Sequence, residues 1–272
     1  MKFNAKKILP FLLLAVVSIV SLLPFYLMVV MGTHSHSEIS RSLQLFFGDD
    51  FLSNLQKVLE AGFLRFYFNS FYIAVVSAGL AVLISTLAGF ALAKYRFKGR
   101  NFFFNAILAT MMIPFGVSIV GFMIEMNKLG LGQTHMPMII STMCSSYGVY
   151  MMVQFMKDGI PTEVIESARI DGASEPKIFW KLALPYVKPA ALTLFVLQFM
   201  NSWNNFMVPL IFINKQEMFT VPLGVFTLGN QYSQEYGARM LALAVATIPT
   251  LLIYIFNSKY MEKGLTVGAV KG

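Results

Sequence analysis

Six long apolar runs dominate this chain, and each is long enough to cross a lipid bilayer. They fall at about 8–31, 68–93, 102–124, 136–156, 190–213 and 239–260. Of the 272 residues, 57% are hydrophobic and only 12% are charged, a balance that is unusual for a soluble domain. Because backbone polar groups in lipid must be satisfied within the segment, such runs predict α-helices. The sequence therefore predicts an all-α polytopic membrane protein, with a single transmembrane domain over 1–272 and six transmembrane helices.

The first apolar run follows a short basic segment that contains Lys2, Lys6 and Lys7. A basic start before an apolar run also describes a secretory signal peptide. The run at 8–31 is longer than the core of a signal peptide, however, and no convincing small-residue cleavage site follows it. We therefore expect an uncleaved first helix that enters the membrane from the cytoplasm.

Two of the apolar runs contain residues that interrupt a helix. Pro114 and Gly116 are expected to break the third run, and Pro249 to bend the sixth. The second run is instead rich in small residues, including Gly79 and Gly89, which let neighbouring helices approach closely.

The segments between the runs are polar. Segment 32–66 contains His34 and His36, a pair that could bind a metal, but no further ligands lie at a recognisable spacing. We therefore expect a solvated loop there and no metal site. Segment 214–237 is expected to be an outside loop with helix-like turns.

The basic residues are distributed unevenly between the two sides of a six-helix topology. Of the 21 Lys and Arg residues, 15 lie in the N-terminal segment, 94–100, 157–189 and the C-terminal tail, whereas 6 lie on the other side. The acidic residues divide almost equally, so the asymmetry lies in the basic residues alone. The positive-inside rule then predicts that both termini and segment 157–189 lie in the cytoplasm.

Segment 157–189 is a charged island in an apolar chain. It contains ten charged side chains, and each Lys, Arg or Asp at the bilayer centre costs about 2.5–3.5 kcal/mol. The island must therefore lie in water between two membrane helices. Its pattern predicts a first short helix over about 161–171, followed by Gly172 as a left-handed cap. Ser174 is expected to cap a second helix that ends near Leu184, before Pro185.

The first helix of the island is predicted to be amphipathic. Val164, Ile165 and Ala168 fall on one face at helical spacing, and the charged side chains point elsewhere. A helix of three turns is marginal alone in water, so it needs a surface to pack against. An ordinary polar loop on the membrane surface is the alternative that this pattern leaves open.

The fifth apolar run contains a stripe of polar side chains at helical spacing. Gln198, Asn201, Ser202 and Asn205 recur at i, i+3, i+4 and i+7, with Trp203 and Asn204 beside them. Polar groups in a membrane need partners or a wet cavity. The stripe is either a set of hydrogen bonds between helices or the wall of a pathway for a polar solute, and we favour the pathway.

Several chemistries are absent from the sequence. It contains no G-x-x-x-x-G-K-[ST] phosphate loop, so an ATPase that drives it must be a separate subunit. No ionisable residue lies near the middle of a run, which disfavours a proton relay, and no catalytic pattern is present. Three hypotheses remain: an importer subunit driven by ATPase partners, an ion-coupled secondary carrier, and a structural or assembly protein of the membrane.

The charged island also resembles a known motif. The residues that carry this resemblance are Glu166, Ser167, Ala168, Asp171, Gly172, Ala173, Phe179, Leu184, Pro185 and Pro189. They resemble the Glu-Ala-Ala cytoplasmic loop of binding-protein-dependent ABC importer permeases, with Ser167 at a position where that family usually has alanine. Segments 68–100, 200–212 and 264–272 resemble the carbohydrate branch of these permeases, and most closely its shorter six-helix subunit of the maltose-permease type.

The resemblance implies the ABC type I importer permease fold and a bacterial plasma-membrane location. It implies a heterodimer with a second permease, two ATPase subunits that bind ATP and Mg, and an extracytoplasmic solute-binding protein that delivers a sugar, with an oligosaccharide as the expected solute. It implies no cofactor, catalytic residue or nucleic-acid partner in this chain, whose remaining contacts are with lipid. A non-sugar polar solute is the alternative substrate.

The resemblance also assigns roles to residues of this sequence. Contact with the ATPase is implied for Glu163, Glu166, Ala168, Asp171, Gly172, Ala173, Phe179 and Pro185, and in the tail for Gly268, Val270 and Gly272. The polar stripe of the fifth run, independently of the resemblance, gives the expected pathway residues as Gln198, Asn201, Trp203, Asn204 and Asn205.

Overall fold

The computed structural model describes residues 5–229 and 235–266, with side chains for 10–229 and 235–255. The described residues form helices and no strand. In chain order these are α1 (Ala5–Met31), α2 (His36–Arg41), α3 (Phe51–Glu60), α4 (Phe63–Lys94), α5 (Arg100–Thr110), α6 (Phe115–Lys128), α7 (Met136–Met143), α8 (Ser146–Gly159), α9 (Thr162–Ile170), α10 (Glu175–Ile178), α11 (Leu184–Trp203), α12 (Met207–Phe212), α13 (Val221–Thr227) and α14 (Tyr236–Thr266). A π-helical turn, Phe179–Ala183, joins α10 to α11, and a 3-10 turn, Gln216–Met218, precedes α13.

The chain forms two compact units. One comprises Met1–Phe66 and Leu223–Pro249, and the other comprises Tyr67–Pro222 and Thr250–Gly272. The second unit holds the charged island and the polar stripe, so it positions the candidate site.

Five of the six apolar runs predicted from the sequence overlap membrane-length helical segments, and the third overlaps a bent pair of shorter helices. Among the described residues, five helices are long and apolar enough to cross a membrane, and a bent pair raises the number to six if it counts as one span. The bent pair is α5 and α6, whose axes differ by 103°. Pro114, with its extended backbone, directly precedes α6 and confirms the predicted break in the third run, whereas Gly116 lies inside α6 and its predicted part in the break is wrong.

Segment 32–66 differs from the expected solvated loop, because it contains α2 and α3 and buries His34. The His34 side chain lies 2.8 Å from the Phe46 carbonyl oxygen through Nε2 and 3.0 Å from the Glu38 carboxylate through Nδ1. Ser35 and Glu38 form a capping box at the start of α2. Within the described residues, no group of three or more His, Cys, Asp or Glu could hold a metal ion. His34 therefore fixes the path of the chain after α1.

The second helix of the charged island does not end near Leu184, and that prediction is wrong. Helical backbone continues from α10 through the π turn into α11. The Leu184 N–H reaches back to the Phe179 carbonyl, the wider spacing of a π turn. Pro185 therefore sits in the first turn of a new helical register, where its missing N–H costs nothing.

The fifth apolar run is likewise not one helix. Helix α11 begins earlier than the predicted run and ends at Trp203, and α12 follows only at Met207. The fourth run is also interrupted, at Cys144 and Ser145, between α7 and α8. The break after α11 lies far from the charged island and forms part of the second half of the candidate site.

The loop after α12 has the helix-like turns expected of segment 214–237, and the expected bend at Pro249 stays a prediction. The loop after α12 contains the 3-10 turn and α13, and α14 runs through Pro249 to Thr266. Gly268, Val270 and Gly272 lie outside the described residues, so the structure says nothing of the expected tail contact.

The core of the second unit depends on small residues of α4, as the sequence predicted. Ala74, Ala78 and Ala81 are fully buried. A Cβ atom on Gly89 would lie 2.6 Å from Cβ of Met152 in α8, so only glycine allows this approach. Close packing of α4 against α8 brings the C-terminal ends of these helices to the charged island.

Candidate functional site

Helix α9 begins after Pro161 and ends in a Schellman motif around Gly172. The Gly172 N–H donates to the Arg169 carbonyl at 3.0 Å and the Ala173 N–H to the Ala168 carbonyl at 3.0 Å. Gly172 has φ +78°, which confirms the predicted left-handed cap. Because side chains strain this conformation, glycine sets both the end of α9 and the direction in which the chain leaves it.

Helix α9 is anchored by Ile165, which is fully buried. The side chain packs in a cluster with Ile178 of α10 and with residues of the neighbouring membrane helices. These neighbours are Phe90 of α4, Met151, Met152 and Met156 of α8, and Val187, Ala190 and Leu194 of α11. Burial of one such side chain contributes about 1.5–3 kcal/mol. The island is therefore a packed extension of three helices, which excludes the alternative of an ordinary loop on the membrane surface.

An ion pair joins α9 to α10 across the turn between them. Arg169 Nε donates to Glu175 Oε1 at 2.7 Å, and the Tyr95 hydroxyl donates to Glu175 Oε2 at 2.5 Å. The Arg169 guanidinium also lies over the Tyr95 ring, 5.4 Å from its centroid. Burial and the adjacent carboxylate raise the pKa of Tyr95 to about 12, so its hydroxyl remains a donor at neutral pH.

A second polar contact joins α4 to the start of the island. Lys94, in the last turn of α4, donates through Nζ to the carbonyl of Ile160, the residue that caps α8. A cation at a helix C-terminus is favourable because it compensates the helix dipole. Together with the Arg169–Glu175 pair, this bond couples the island to α4 and α8.

The outward face of α9 is partly apolar, which the sequence analysis missed. Ile170 is 86% exposed and Val164 is 40% exposed, although Val164 was predicted to share the inward face with Ile165. Glu163 and Glu166 are exposed beside them, as are Asp171 and Gly172. Val164 immediately precedes Ile165 in the sequence. Successive side chains of an α-helix point about 100° apart, so grouping these two residues on one face by their spacing was wrong.

Other residues expected to contact an ATPase lie elsewhere. Phe179 is 4% exposed and packs on Phe90 with ring centroids 5.6 Å apart. Ala168 and Ala173 are half-buried against the same cluster. Pro185 is exposed, in an apolar hollow formed with residues of α4 and α11. Phe179 therefore supports the island from inside.

The polar stripe of the fifth run divides into two parts. Gln198 and Ser202 are buried in helix packing, where Gln198 Nε2 donates to Ser145 Oγ at 2.8 Å and Ser77 Oγ donates to Ser202 Oγ at 3.1 Å. These bonds are the interhelical alternative that the sequence left open. Trp203 is buried as well and stacks on Phe199, with ring centroids 5.8 Å apart.

The amides of the stripe lie at the break between α11 and α12. The helix ends before Asn205, so Asn205 does not continue the predicted face; its side-chain oxygen accepts the Val208 N–H at 3.1 Å. Asn204 is exposed and donates through Nδ2 to the Met200 carbonyl at 2.9 Å. Asn201 is exposed, one turn before the break.

These three amides border a cavity of about 620 Å³. Its wall consists of Phe115, Leu197, Met200, Asn201, Asn204, Asn205, Phe206 and Met207. Phe115 is the first residue of α6, so the break in the bent pair meets the break after α11. Irregular backbone within a membrane is tolerated where it is buried in protein or lines a cavity, and the break after α11 lines this one.

Comparison with known proteins places the chain in a family. Residues 81–267 match the family described as the binding-protein-dependent transport system inner membrane component. The chain belongs to this family. The match includes the charged island and the cavity, and it defines this member of the binding-protein-dependent transport family as a membrane-spanning permease of an ABC transporter.

The relatives of this family member are permeases of sugar transport systems. The arabinooligosaccharides transport system permease protein AraQ of Halalkalibacterium halodurans is 39% identical over 214 residues, 78% of this chain and 76% of the relative. The protein of the same name from Bacillus subtilis is 32% identical across 100% of this chain and 98% of its own length. The lactose transport system permease protein LacG of Rhizobium radiobacter is 31% identical across 97% of this chain and 96% of its own length.

A solved structure confirms the fold class predicted for this family member. The crystal structure of a bacterial ABC transporter involved in the import of the acidic polysaccharide alginate superposes with a TM-score of 0.80. The alignment covers 96% of this chain and 99% of the other, at 23% identity. The fold is therefore that of an ABC type I importer permease.

Proposed function

We propose that this chain is the transmembrane permease subunit of an ATP-driven, binding-protein-dependent sugar importer. The names of the relatives, which include transport systems for arabinooligosaccharides and for lactose, support a sugar or oligosaccharide as the solute. The family description supports delivery of that solute by a binding protein. The chain supplies half of a translocation pathway, and a second permease supplies the other half.

The observation that carries this proposal is the outward face of α9. A water-exposed helix that presents Ile170 and Val164 between acidic side chains is suited to docking in a groove of a partner. Its inner face is fixed by Ile165, so the helix can transmit force without unfolding. The partner is an ATPase, two copies of which bind ATP and Mg and hydrolyse the nucleotide; this chain is not an enzyme.

The contacts of the island support a route by which ATP binding moves the membrane helices. Closure of the two ATPases pulls α9, and the Ile165 cluster transmits this displacement to α4, α8 and α11. The Arg169–Glu175 ion pair keeps α9 and α10 together during the movement. Helix α11 ends at the break that borders the cavity, so a displacement of α11 opens or closes it. This is alternating access driven from the cytoplasm.

Co-purification of the assembled complex tests the proposal. The chain is expressed with its genomic neighbours, and the ATPase and second permease that co-elute are quantified for wild type, Ile170→Asp and Leu129→Asp. Leu129 is the matched control, because it is an exposed aliphatic residue that follows α6, on the predicted opposite side of the membrane.

We expect Ile170→Asp to reduce co-eluting ATPase at least about tenfold, since a buried unpaired carboxylate costs several kcal/mol. Leu129→Asp should retain the ATPase at the wild-type level. Equal ATPase recovery in both variants would refute docking through α9. A chain that purifies alone and still transports solute would replace the proposal with a secondary carrier.

A further inference from the structure

The turn between α4 and α5 concentrates positive charge without any acidic residue. Lys94, Arg96, Lys98 and Arg100 alternate along it, and no Asp or Glu occurs anywhere between Glu60 and Glu125. The charged island differs, because its basic and acidic residues are equal in number. The turn is therefore a cationic surface, whereas the island carries no net charge.

Three of these cations have no ionic partner. Lys94 donates to the Ile160 carbonyl, but within the described residues none of Arg96, Lys98 and Arg100 forms an ion pair. Nη1 of Arg100 donates to the Tyr95 carbonyl at 3.5 Å, a long bond that uses one donor of the guanidinium. The remaining N–H groups of the two arginines are available to an anion.

Arg96 and Arg100 line the same surface hollow, which has a volume of about 320 Å³. Gly99, with φ +87°, reverses the chain between them, and Phe97, Asn101 and Phe102 complete the wall. This volume lies within the range of small-molecule sites. A planar guanidinium binds two phosphate oxygens at once, so two arginines and an amide in one hollow suit a phosphate group.

The hollow lies at the boundary of the membrane. The apolar sequence ends at Ala93 and resumes at Phe102, and α5 begins only five residues after α4 ends. At about 3.5 Å per residue, out and back, such a turn reaches at most about 9 Å beyond the helix ends. This reach is similar to the thickness of the headgroup layer, so the arginines lie among phospholipid headgroups on the side predicted to be cytoplasmic.

Exposed aromatic rings adjoin the cations. Phe97 is 43% exposed, Phe102 is 72% exposed and Phe103 is 54% exposed. Phe102 and Phe103 lie in the first turn of α5, at the start of the third apolar run, where exposed rings contact lipid chains. A free phosphate ion would leave these rings uncovered, and a soluble protein would not reach rings on a membrane helix. A molecule with both a phosphate and apolar chains matches the cations and the rings together.

We propose that the α4–α5 turn is a binding site for an anionic phospholipid, whose phosphate contacts Arg96 and Arg100 and whose acyl chains pack on Phe102. Basic pockets at membrane helix ends attract anionic lipids of the adjacent leaflet. The site adjoins the contact between α4 and the charged island, because Tyr95 accepts a bond from Arg100 through its carbonyl and donates to Glu175 through its hydroxyl. Bound lipid therefore restrains Arg100 and, through Tyr95, the attachment of α10 to α4.

Native mass spectrometry of the purified chain in an uncharged detergent tests the site. The probes are phosphatidylglycerol and phosphatidylcholine with the same acyl chains, and inorganic phosphate as a competitor. The first variant combines Arg96→Gln with Arg100→Gln. The matched control combines Lys177→Gln with Lys181→Gln, which removes the same charge from exposed positions of the island.

We expect the arginine variant to weaken binding of the first phosphatidylglycerol at least about tenfold, and the lysine variant to change it less than about twofold. Phosphatidylcholine should bind the unaltered chain much more weakly than phosphatidylglycerol. Equal affinities for the two lipids, or equal effects of the two double variants, would overturn the site.

Two further outcomes distinguish other occupants. Displacement of the first phosphatidylglycerol by inorganic phosphate would assign the hollow to a free anion and overturn the lipid. Unchanged lipid binding, together with loss of co-eluting ATPase from the complex of the arginine variant, would assign the turn to a protein partner and overturn the proposal.

A second measurement serves if the arginine variant does not fold. Cys144 is the single cysteine of the chain, so Cys144→Ser with Phe97→Cys places one thiol at the wall of the hollow. In phosphatidylcholine nanodiscs, added phosphatidylglycerol should slow the reaction of this thiol with an uncharged maleimide severalfold. Ser167→Cys in the same background is the control, because Ser167 is exposed on α9. Equal slowing at both positions, or none at Phe97→Cys, would overturn the proposal.

Discussion

Single residues set the geometry of the charged island. Gly172 ends α9 because only glycine readily adopts φ +78°, and Ile165 holds the helix because it is fully buried. The first role could be predicted from the sequence, since an acidic helix followed by Asp-Gly indicates a left-handed cap. The second could be predicted only in part, because periodicity alone did not distinguish the inward Ile165 from the outward Val164.

Gly172→Val should reduce solute uptake because it strains the C-terminal cap of α9. A β-branched residue in the left-handed region costs at least about 1–2 kcal/mol, and relief of this strain would turn α9 away from its docked direction. We expect ATP hydrolysis to persist while transport falls severalfold. The ratio of solute imported to ATP hydrolysed is the measurement. Gly172→Asn is the control, because asparagine tolerates this conformation, and an equal loss in both variants would contradict the argument.

His34 should make the segment after α1 sensitive to pH. The Phe46 carbonyl and the Glu38 carboxylate raise the pKa of His34 above its usual value of about 6.5, against the opposing effect of burial. A raised pKa means that this stabilisation is complete below pH of about 6.5 and is lost as the pH rises through the native pKa of His34. Hydrogen-exchange protection of the Gly48 and Asp50 amides, corrected for intrinsic rates, should therefore fall on raising the pH from 6 to 9. A His34→Gln variant should lose this dependence, and a wild-type protection that is independent of pH would refute it.

The closeness of helix packing varies along α4. Helix α4 packs against α8 at Gly89, whereas a Cβ atom added to Gly79 of the same helix would meet no neighbouring atom within 4 Å. Two glycines that look alike in the sequence thus have unlike roles. Only the packing of the helices decides which one is required.

Gly89→Ala should destabilise the protein, because the added methyl group meets Met152 at 2.6 Å. We expect a loss of about 1–3 kcal/mol for overpacking and a lower midpoint of thermal unfolding in detergent. Gly79→Ala is the control on the same helix, and it should be neutral or slightly stabilising because alanine favours helix. Similar midpoints for the two variants would show that the α4–α8 approach is looser than the structure indicates.

Helix α9 should detach from the membrane helices when its anchor is truncated. Ile165→Ala removes buried methyl groups at a cost of about 2–5 kcal/mol, which exceeds the stability of a short isolated helix. We expect faster trypsin cleavage at Arg169 and Lys177 with the remaining helices intact. Ile170→Ala removes the same atoms from an exposed position and should not change cleavage in the free chain. Equal cleavage of both variants would contradict the anchoring role.

At the scale of the whole molecule, the positive charge bias predicts one orientation. With both termini in the cytoplasm, Lys98 and the charged island lie inside, and Lys215 lies outside. In a Cys144→Ser background, Lys215→Cys should react with a membrane-impermeant maleimide on intact cells, and Lys98→Cys only after permeabilisation. The reverse pattern would invert the orientation and remove α9 from the reach of a cytoplasmic ATPase.

The sequence by itself determined the all-α membrane class, the approximate positions of the apolar helices, the water-exposed island and its glycine cap. These follow from local quantities: the length of an apolar run, the cost of charge in lipid and the conformational freedom of glycine. Tertiary structure decided that helical backbone continues from α10 into α11. The π turn places Pro185 in the first turn of α11, which the local rules for proline did not predict. Tertiary structure also decided that part of the polar stripe forms buried hydrogen bonds and part borders a cavity. The reason is that α11 ends at Trp203, beside the start of α6. Which polar side chain finds a partner and which faces open space depends on neighbours distant in sequence, and only the packed molecule supplies those neighbours.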